Sequence, residues 1–400
     1  MKKQSNFYSM CILNATFFIW GVITALTAVS VPYIKQHYSL TNTSSSFISL
    51  IFFCVPLLAS IPIGRVITTF GYKGALKSAY WLAILGSGII ILAYQAHSFP
   101  MLCAGVSLIA LAVVAMQVVA NPYLAALGTA SSVSGRLSLA SSINSFGTVV
   151  APLSAALILG GFYQLSVQEQ SMKLTLIYGM LLVFVTGLIF LVHVIKLPDV
   201  EIAKEHKSNF LEDIKELFGN KLFTLSVLGI FCYVGAEVSV AVNTVIYLTE
   251  STLGNLSIKS ASSLISLYWA GAMIGRLLYG CVANKIRLTK LMTVCTIMPS
   301  IIILIVILWS SRQSGYLLLF IGLTNSVIYP AIYALVINNT IAKLTPIASA
   351  VLIMAGFGGA IIPSIQALAS DNFGVAYGFL IPLLSYLYLF YYTLRQRRFF

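Results

Sequence analysis

The sequence predicts an all-α membrane protein whose twelve transmembrane helices form two six-helix repeats, and three observations lead there. Hydrophobic residues make up 59% of the 400-residue chain and charged residues only 8%, where a soluble domain carries roughly a quarter; mean hydropathy is +0.96. Twelve apolar stretches follow one another with short polar breaks. A shift of 211 residues lays special residues of the first half on those of the second. With about 20 apolar residues per spanning helix, little chain is left for a soluble catalytic module.

The stretches run over 8–34, 47–69, 76–96, 101–128, 137–163, 174–197, 222–248, 260–283, 288–309, 315–342, 347–369 and 375–394. The first follows Lys2 and Lys3 as a signal peptide would, but its apolar core is too long, so it is read as an uncleaved span. Twelve spans put both termini on one side. Nineteen Lys and Arg residues, among them Lys2, Arg65, Arg276, Lys343 and Arg398, then fall on that side, against Lys35, Lys173, Lys259 and Arg312 on the other. Positive residues collect inside, so the termini are expected in the cytoplasm and the chain in the cell inner membrane.

That orientation accounts for the net charge of +13 better than nucleic acid does, because no basic stretch is interleaved with aromatics on a polar background. The six cysteines lie in or beside apolar runs without paired spacing, which indicates small buried hydrophobes rather than disulfides or a zinc site. His37, His97, His193 and His206 fall at helix ends or in loops, away from carboxylates at metal or triad spacing. No cofactor, metal or catalytic residue is expected.

The one long polar segment, 198–220, carries six of the ten carboxylates and separates a first half, 1–197, from a second, 221–400. Phe210, Leu211, Ile214, Leu217 and Phe218 recur in it at helical spacing beside Glu212, Asp213, Lys215 and Glu216, as in a helix at the membrane surface; a solvated tether is the other reading. The 211-residue shift aligns Gly64-Arg65 with Gly275-Arg276, Phe146-Gly147 with Phe357-Gly358 and Pro152 with Pro363. Such identities favour two parallel repeats. Arg65 and Arg276 are expected to end spans 2 and 8 on the inner face.

Several motifs are longer than chance allows. Phe17-Phe18-Ile19-Trp20-Gly21 is followed by Asn121-Pro122-Tyr123-Leu124 with Gly128, and by Arg136-Leu137 leading into Asn144-Ser145-Phe146-Gly147-Thr148. The second half has Tyr233-Val234-Gly235-Ala236-Glu237, Tyr268-Trp269 before Gly271-Ala272, and Gly358-Gly359-Ala360-Ile361-Ile362-Pro363. In these segments the chain resembles the fucose/galactose/glucose:proton symporter family of the major facilitator superfamily, most of all its glucose/galactose branch. The resemblance implies the major facilitator fold and alternating access between the halves, with a substrate site near the midplane.

This chain departs from the family's pattern in places. Family members commonly carry Asn-Asp in span 1 where Thr27-Ala28 stands, and that Asp is their proton-titrating candidate. Gln117 occupies a position that is Glu in the fucose branch, although Gln is usual there in the glucose/galactose branch. Ser138 and Ser141 replace span 5 amides that look like sugar contacts, leaving Asn144.

Glu237 is the one carboxylate placed well inside a span, a costly position unless it is protonated, paired or reached by water. It is the candidate for ion coupling. Asn144, Gln117, Asn121, Ser141, Asn243, Trp269, Asn325, Tyr329 and Gln366 are the candidate substrate-binding residues, beside Tyr233 and Tyr333. Amides match vicinal hydroxyls and aromatic faces pack on the C–H side of a pyranose. The expected function is import of a neutral monosaccharide by proton symport, in a monomeric carrier whose partners are the sugar, a coupling cation and membrane lipid. A facilitator, exchanger or efflux carrier for another small polar solute stays open, as does a non-transporting sugar receptor. A membrane-embedded enzyme would need a nucleophile and base or a metal set within the spans, where the chain offers one Glu.

Overall fold

The computed structural model describes residues 2–40, 42–159, 161–195, 197–198, 210–283 and 285–396, and every secondary-structure element among them is helical. The first half is α1 (Lys2–His37), α2 (Asn42–Gln95), α3 (Phe99–Ala126), α4 (Val133–Ile158) and α5 (Val167–Val194). A short α6 (Phe210–Gly219) precedes the second half. That half comprises α7 (Lys221–Thr249), α8 (Ile258–Val282), α9 (Leu288–Leu308), α10 (Arg312–Leu317), α11 (Ile321–Asn325), α12 (Ile328–Asn338), α13 (Thr345–Ala355), α14 (Gly358–Phe373), α15 (Val375–Gly378) and α16 (Leu380–Arg395).

Ten stretches of the described residues are long and apolar enough to cross a membrane. One of them, Leu50–Gln95, is 46 residues long. It holds two crossings, since a spanning helix needs about 20 residues and Gly71 breaks α2 with φ 70° and ψ 171°. A residue with a Cβ is strained at that φ, so the turn between spans 2 and 3 requires its glycine. The Ser-rich α4, 26 residues long, supplies the twelfth crossing.

The last three crossings are each assembled from two or more helical pieces, and prolines explain two of the seams. Pro330, Pro363 and Pro382 each lack the N–H that would bond the carbonyl four residues earlier. The helix accordingly interrupts just upstream of Pro330 and Pro382, at 326–327 and Phe379, whereas the break at 356–357 falls at Gly356 beside Gly358 and Gly359, further from Pro363 than its missing bond to residue 359 would place it.

The chain forms two compact units, Met1–Leu127 with Ile143–His206 and Thr345–Ile353, and Gly128–Ser142 with Lys207–Leu344 and Met354–Phe400. In the first, α2 packs along α3 and α5, and α1 lies against α3 and α5. Close approach of α4 to α1 is set by Gly147, where a Cβ would overlap the Phe18 carbonyl oxygen. In the second, α7 is the central helix, flanked by α14, α16, α12 and α8. Its contact with α14 repeats the first unit's device: a Cβ on Gly358 would overlap the Phe231 carbonyl oxygen.

Segment 210–219 is a helix, as its apolar spacing predicted, and its Glu216 accepts from Lys343 at 2.9 Å. The rest of the polar segment, 199–209, with His206, lies outside the described residues, as do Arg397 and Arg398. The cysteines correct an expectation. All six are free, but only Cys295 is buried, and Cys11 and Cys281 are exposed. On a spanning helix the surrounding lipid is itself apolar, so a thiol gains little by being packed inside. Trp81 and Trp309 are exposed on the same kind of surface.

Candidate functional site

A buried ion pair joins α7 and α8 of the second unit. Glu237, 9% exposed, sits in the middle of α7, and its Oε1 accepts from Tyr233 Oη at 2.7 Å and from Arg276 Nη2 at 2.9 Å. Tyr233 lies one turn before Glu237, so the two side chains share a helix face. Arg276 is not at the end of span 8 as the sequence suggested. It lies within α8, six residues before that helix ends, and turns inward to the carboxylate. The cost of an ionised group at that depth is offset by pairing, with the phenol as a further donor.

A polar chain continues from this pair. Tyr268 Oη donates to the Glu237 backbone carbonyl at 2.9 Å and accepts from Asn325 Nδ2 at 2.7 Å. Asn325 Oδ1 in turn accepts from Tyr386 Oη at 2.8 Å. Asn325 closes α11 just before the proline-induced seam, so the local fold sets the amide between two tyrosines. Both ends of its amide are satisfied within the protein.

The remaining candidates of this unit flank that chain. Trp269, 42% exposed, meets Tyr268 edge-on with ring centroids 5.2 Å apart. Tyr329 is stacked on Tyr333 at 5.9 Å and lies 6.3 Å from Tyr233. Ser239 joins the other two amides: its hydroxyl donates to Gln366 Oε1, while its carbonyl accepts from Asn243 Nδ2 at 2.9 Å. Gln366 Nε2 is buried and has no hydrogen-bond partner among the described residues. A buried amide left without an acceptor costs about 1–3 kcal/mol, which a ligand oxygen would recover.

In the first unit, Asn144 donates Nδ2 to the Phe17 carbonyl at 2.8 Å, and Gly21 makes room for the asparagine on α1. Asn121 donates to the Gln117 carbonyl at 2.8 Å along one turn of α3, buried where Gln117 is half-buried. Ser141 is half-buried and belongs to the second unit with the start of α4.

That start of α4 carries a feature the sequence reading missed. Ser134 bonds the Tyr279 hydroxyl at 2.7 Å, Ser138 donates to the Arg276 carbonyl at 2.7 Å and Ser142 to the Met273 carbonyl at 2.9 Å. The three serines lie four residues apart, which puts them on one face of a helix, and that spacing is visible in the sequence. Small hydroxylated residues let two helices approach closely while bonding across the gap. Ser138 therefore ties α4 to the residue that pairs with Glu237.

The Major Facilitator Superfamily profile matches residues 12–363. The chain belongs to that superfamily. Its members are transporters rather than enzymes. The chain is 31% identical over 396 residues to a Brucella abortus (strain 9-941) protein named a glucose/galactose transporter, covering 98% of this chain and 95% of the relative. It is 24% identical to the L-fucose-proton symporter of Escherichia coli (strain K12), over 97% of this chain and 93% of the relative. Its fold matches the crystal structure of FucP, a superfamily transporter in the outward conformation, with a TM-score of 0.88 at 22% identity, covering 97% of this chain and 98% of that one.

Proposed function

We propose that this superfamily member imports a neutral monosaccharide of the glucose, galactose or fucose kind by proton symport across the cell inner membrane, as a monomer with both termini in the cytoplasm. The observation that carries the reading is the buried Glu237–Arg276 pair on α7 and α8, set among amides and aromatic rings. The names of relatives that match nearly the whole chain point the same way. Gln366, with its unpartnered Nε2, Asn243, Asn325, Trp269 and Tyr329 are assigned to the sugar in the second unit, and Asn144, Gln117 and Asn121 in the first. Ser141 completes the set.

Glu237 is assigned the coupling ion. Its carboxylate is held by two donors, so a proton arriving at the carboxyl would weaken its bonds to Arg276 and Tyr233 and loosen the tie between α7 and α8.

Ala28, standing where family members carry Asp, favours one second reading, a facilitator that moves sugar down its gradient. Uptake into proteoliposomes decides between them, using labelled hexoses, pentoses and fucose under separate proton and sodium gradients. Accumulation of one sugar above equilibrium on a proton gradient is the expected result. Equilibration without accumulation would make the chain a facilitator, and no uptake of any sugar would overturn sugar transport altogether.

A further inference from the structure

A cavity of about 900 Å³ lies in the first unit at the end of α1 opposite its N-terminus, away from every residue assigned above. Its wall includes His37, Tyr94, His97, Lys173 and Thr175. His37 is only 2% exposed, and neither ring nitrogen makes a well-formed hydrogen bond among the described residues, the Gln170 amide being the one polar side chain beside it to reach it. Thr175 Oγ1 is likewise buried without a partner, and Tyr94 Oη has only the Tyr178 hydroxyl beside it. Buried polar atoms are nearly always bonded, so several under-bonded groups around one opening indicate that something else bonds them.

The chemistry of the wall selects the ligand. No carboxylate lines the cavity, while Lys173 and the two histidines do. A metal cation would meet a lysine and no anionic ligand. Tyrosine and threonine hydroxyls, an ammonium group and imidazole N–H groups are all donors, and the complement of converging donors with positive charge is an oxyanion. The cavity also begins at the first turn of α5, which the Glu169 carboxylate caps through Ser166 from outside the wall while facing Lys173. Val167, Met172 and Leu176, exposed by 56%, 71% and 53%, line its apolar part.

We propose that this cavity binds a phosphate oxyanion, either as a free ion or as the headgroup of an anionic phospholipid whose chains lie along Val167, Met172 and Leu176. Binding has a built-in pH dependence. Burial, and then the neighbouring His97, hold the His37 imidazole below its usual range, so it is neutral in the empty site at pH 7. A bound oxyanion supplies the missing countercharge, so binding takes up a proton and tightens as pH falls. The titratable groups facing His37 are Tyr38, Tyr94 and His97 in ring contact, with Lys173 across the cavity.

The test uses the purified full chain in two arms. In detergent, inorganic phosphate is titrated against chloride at matched ionic strength, at pH 6 and pH 8, with thermal unfolding as readout. In nanodiscs, phosphatidylcholine alone is compared with phosphatidylcholine plus phosphatidylglycerol. Saturable stabilisation by phosphate, stronger at pH 6, assigns the site to a soluble ion. Stabilisation by phosphatidylglycerol alone assigns it to lipid. Either result should be weakened about tenfold by Lys173→Gln, the loss expected for one charge-assisted bond, and severalfold by Thr175→Val, while Lys221→Gln, far along the chain, leaves it unchanged. His37→Gln should remove the pH dependence. The proposal falls if neither phosphate nor phosphatidylglycerol stabilises the wild type, or if Lys173→Gln and Thr175→Val respond as the wild type does.

Discussion

Arg276 Nη2 lies 2.9 Å from Glu237 Oε1, and the carbonyl of the same arginine accepts from Ser138 at 2.7 Å. One residue of α8 therefore answers the carboxylate of α7 through its side chain and the serine face of α4 through its backbone. A change in the charge of Glu237 acts directly on a residue to which α4 is bonded.

Removing one partner of a buried pair leaves the other charge unanswered, which typically costs about 3–5 kcal/mol. Arg276→Met should therefore lower the thermal midpoint of the purified protein sharply. Adding Glu237→Gln to it should recover much of the loss, because the double variant buries no charge. Unfolding midpoints of the two single variants and the double variant check this. Additive losses would show that the two residues contribute to stability independently.

Glu237→Gln should abolish accumulation of sugar against its gradient and preserve counterflow exchange, since the amide mimics a carboxyl that cannot release its proton. Uptake and exchange in the same proteoliposomes separate the two. Continued accumulation on a proton gradient would move coupling away from Glu237.

Asn144 keeps the amide that resembles the family's span 5 contact, yet its Nδ2 is bonded to the Phe17 carbonyl. Asn144→Ala should weaken sugar binding by about 1–3 kcal/mol, the cost of a lost buried hydrogen-bond partner. Titration calorimetry and thermal unfolding are measured together. A lower midpoint with unchanged sugar affinity would confine Asn144 to joining α4 and α1.

The helical fold was legible because each crossing must be apolar over its whole length, a signal that survives without knowing which helix touches which. Glu237 was also legible, as an ionisable residue inside an apolar run. Its partner was not. The repeat that matched Arg276 to Arg65 drew it toward the inner loops, while the rotation of α8 that turns it toward α7 follows from packing, which hydropathy does not encode. Ser134, Ser138 and Ser142 stood at helical spacing, but of these only Ser138 was read at all, with Ser141, as a lost sugar contact rather than a gained helix contact. The cysteines failed for a different reason: in lipid, apolar no longer means interior.

The expected orientation puts Lys2 and Arg398 in the cytoplasm and Lys173 and Arg312 outside. Single cysteines at these four positions, in a background with the six native cysteines replaced, should label accordingly with a membrane-impermeant maleimide applied to intact cells. Labelling at Arg398 from outside would require an odd number of crossings.

The glycines offer a test of the helix contacts themselves. In a helix interior, Gly→Ala normally stabilises by about 0.5–1 kcal/mol, because alanine loses less conformational entropy on folding. Gly179 in α5 has nothing within 4 Å of where its Cβ would stand, so Gly179→Ala should hold or raise the midpoint. At Gly147 and Gly358 the added methyl would overlap the carbonyl oxygens of Phe18 and Phe231. Backbone cannot rotate aside as a side chain can, so each substitution should destabilise by about 1–3 kcal/mol, as overpacking does. The two are related by the 211-residue repeat, and their losses should be of similar size. Midpoints of the three alanine variants decide it. If Gly147→Ala and Gly358→Ala unfold with Gly179→Ala, α4 does not approach α1 this closely, nor α14 approach α7.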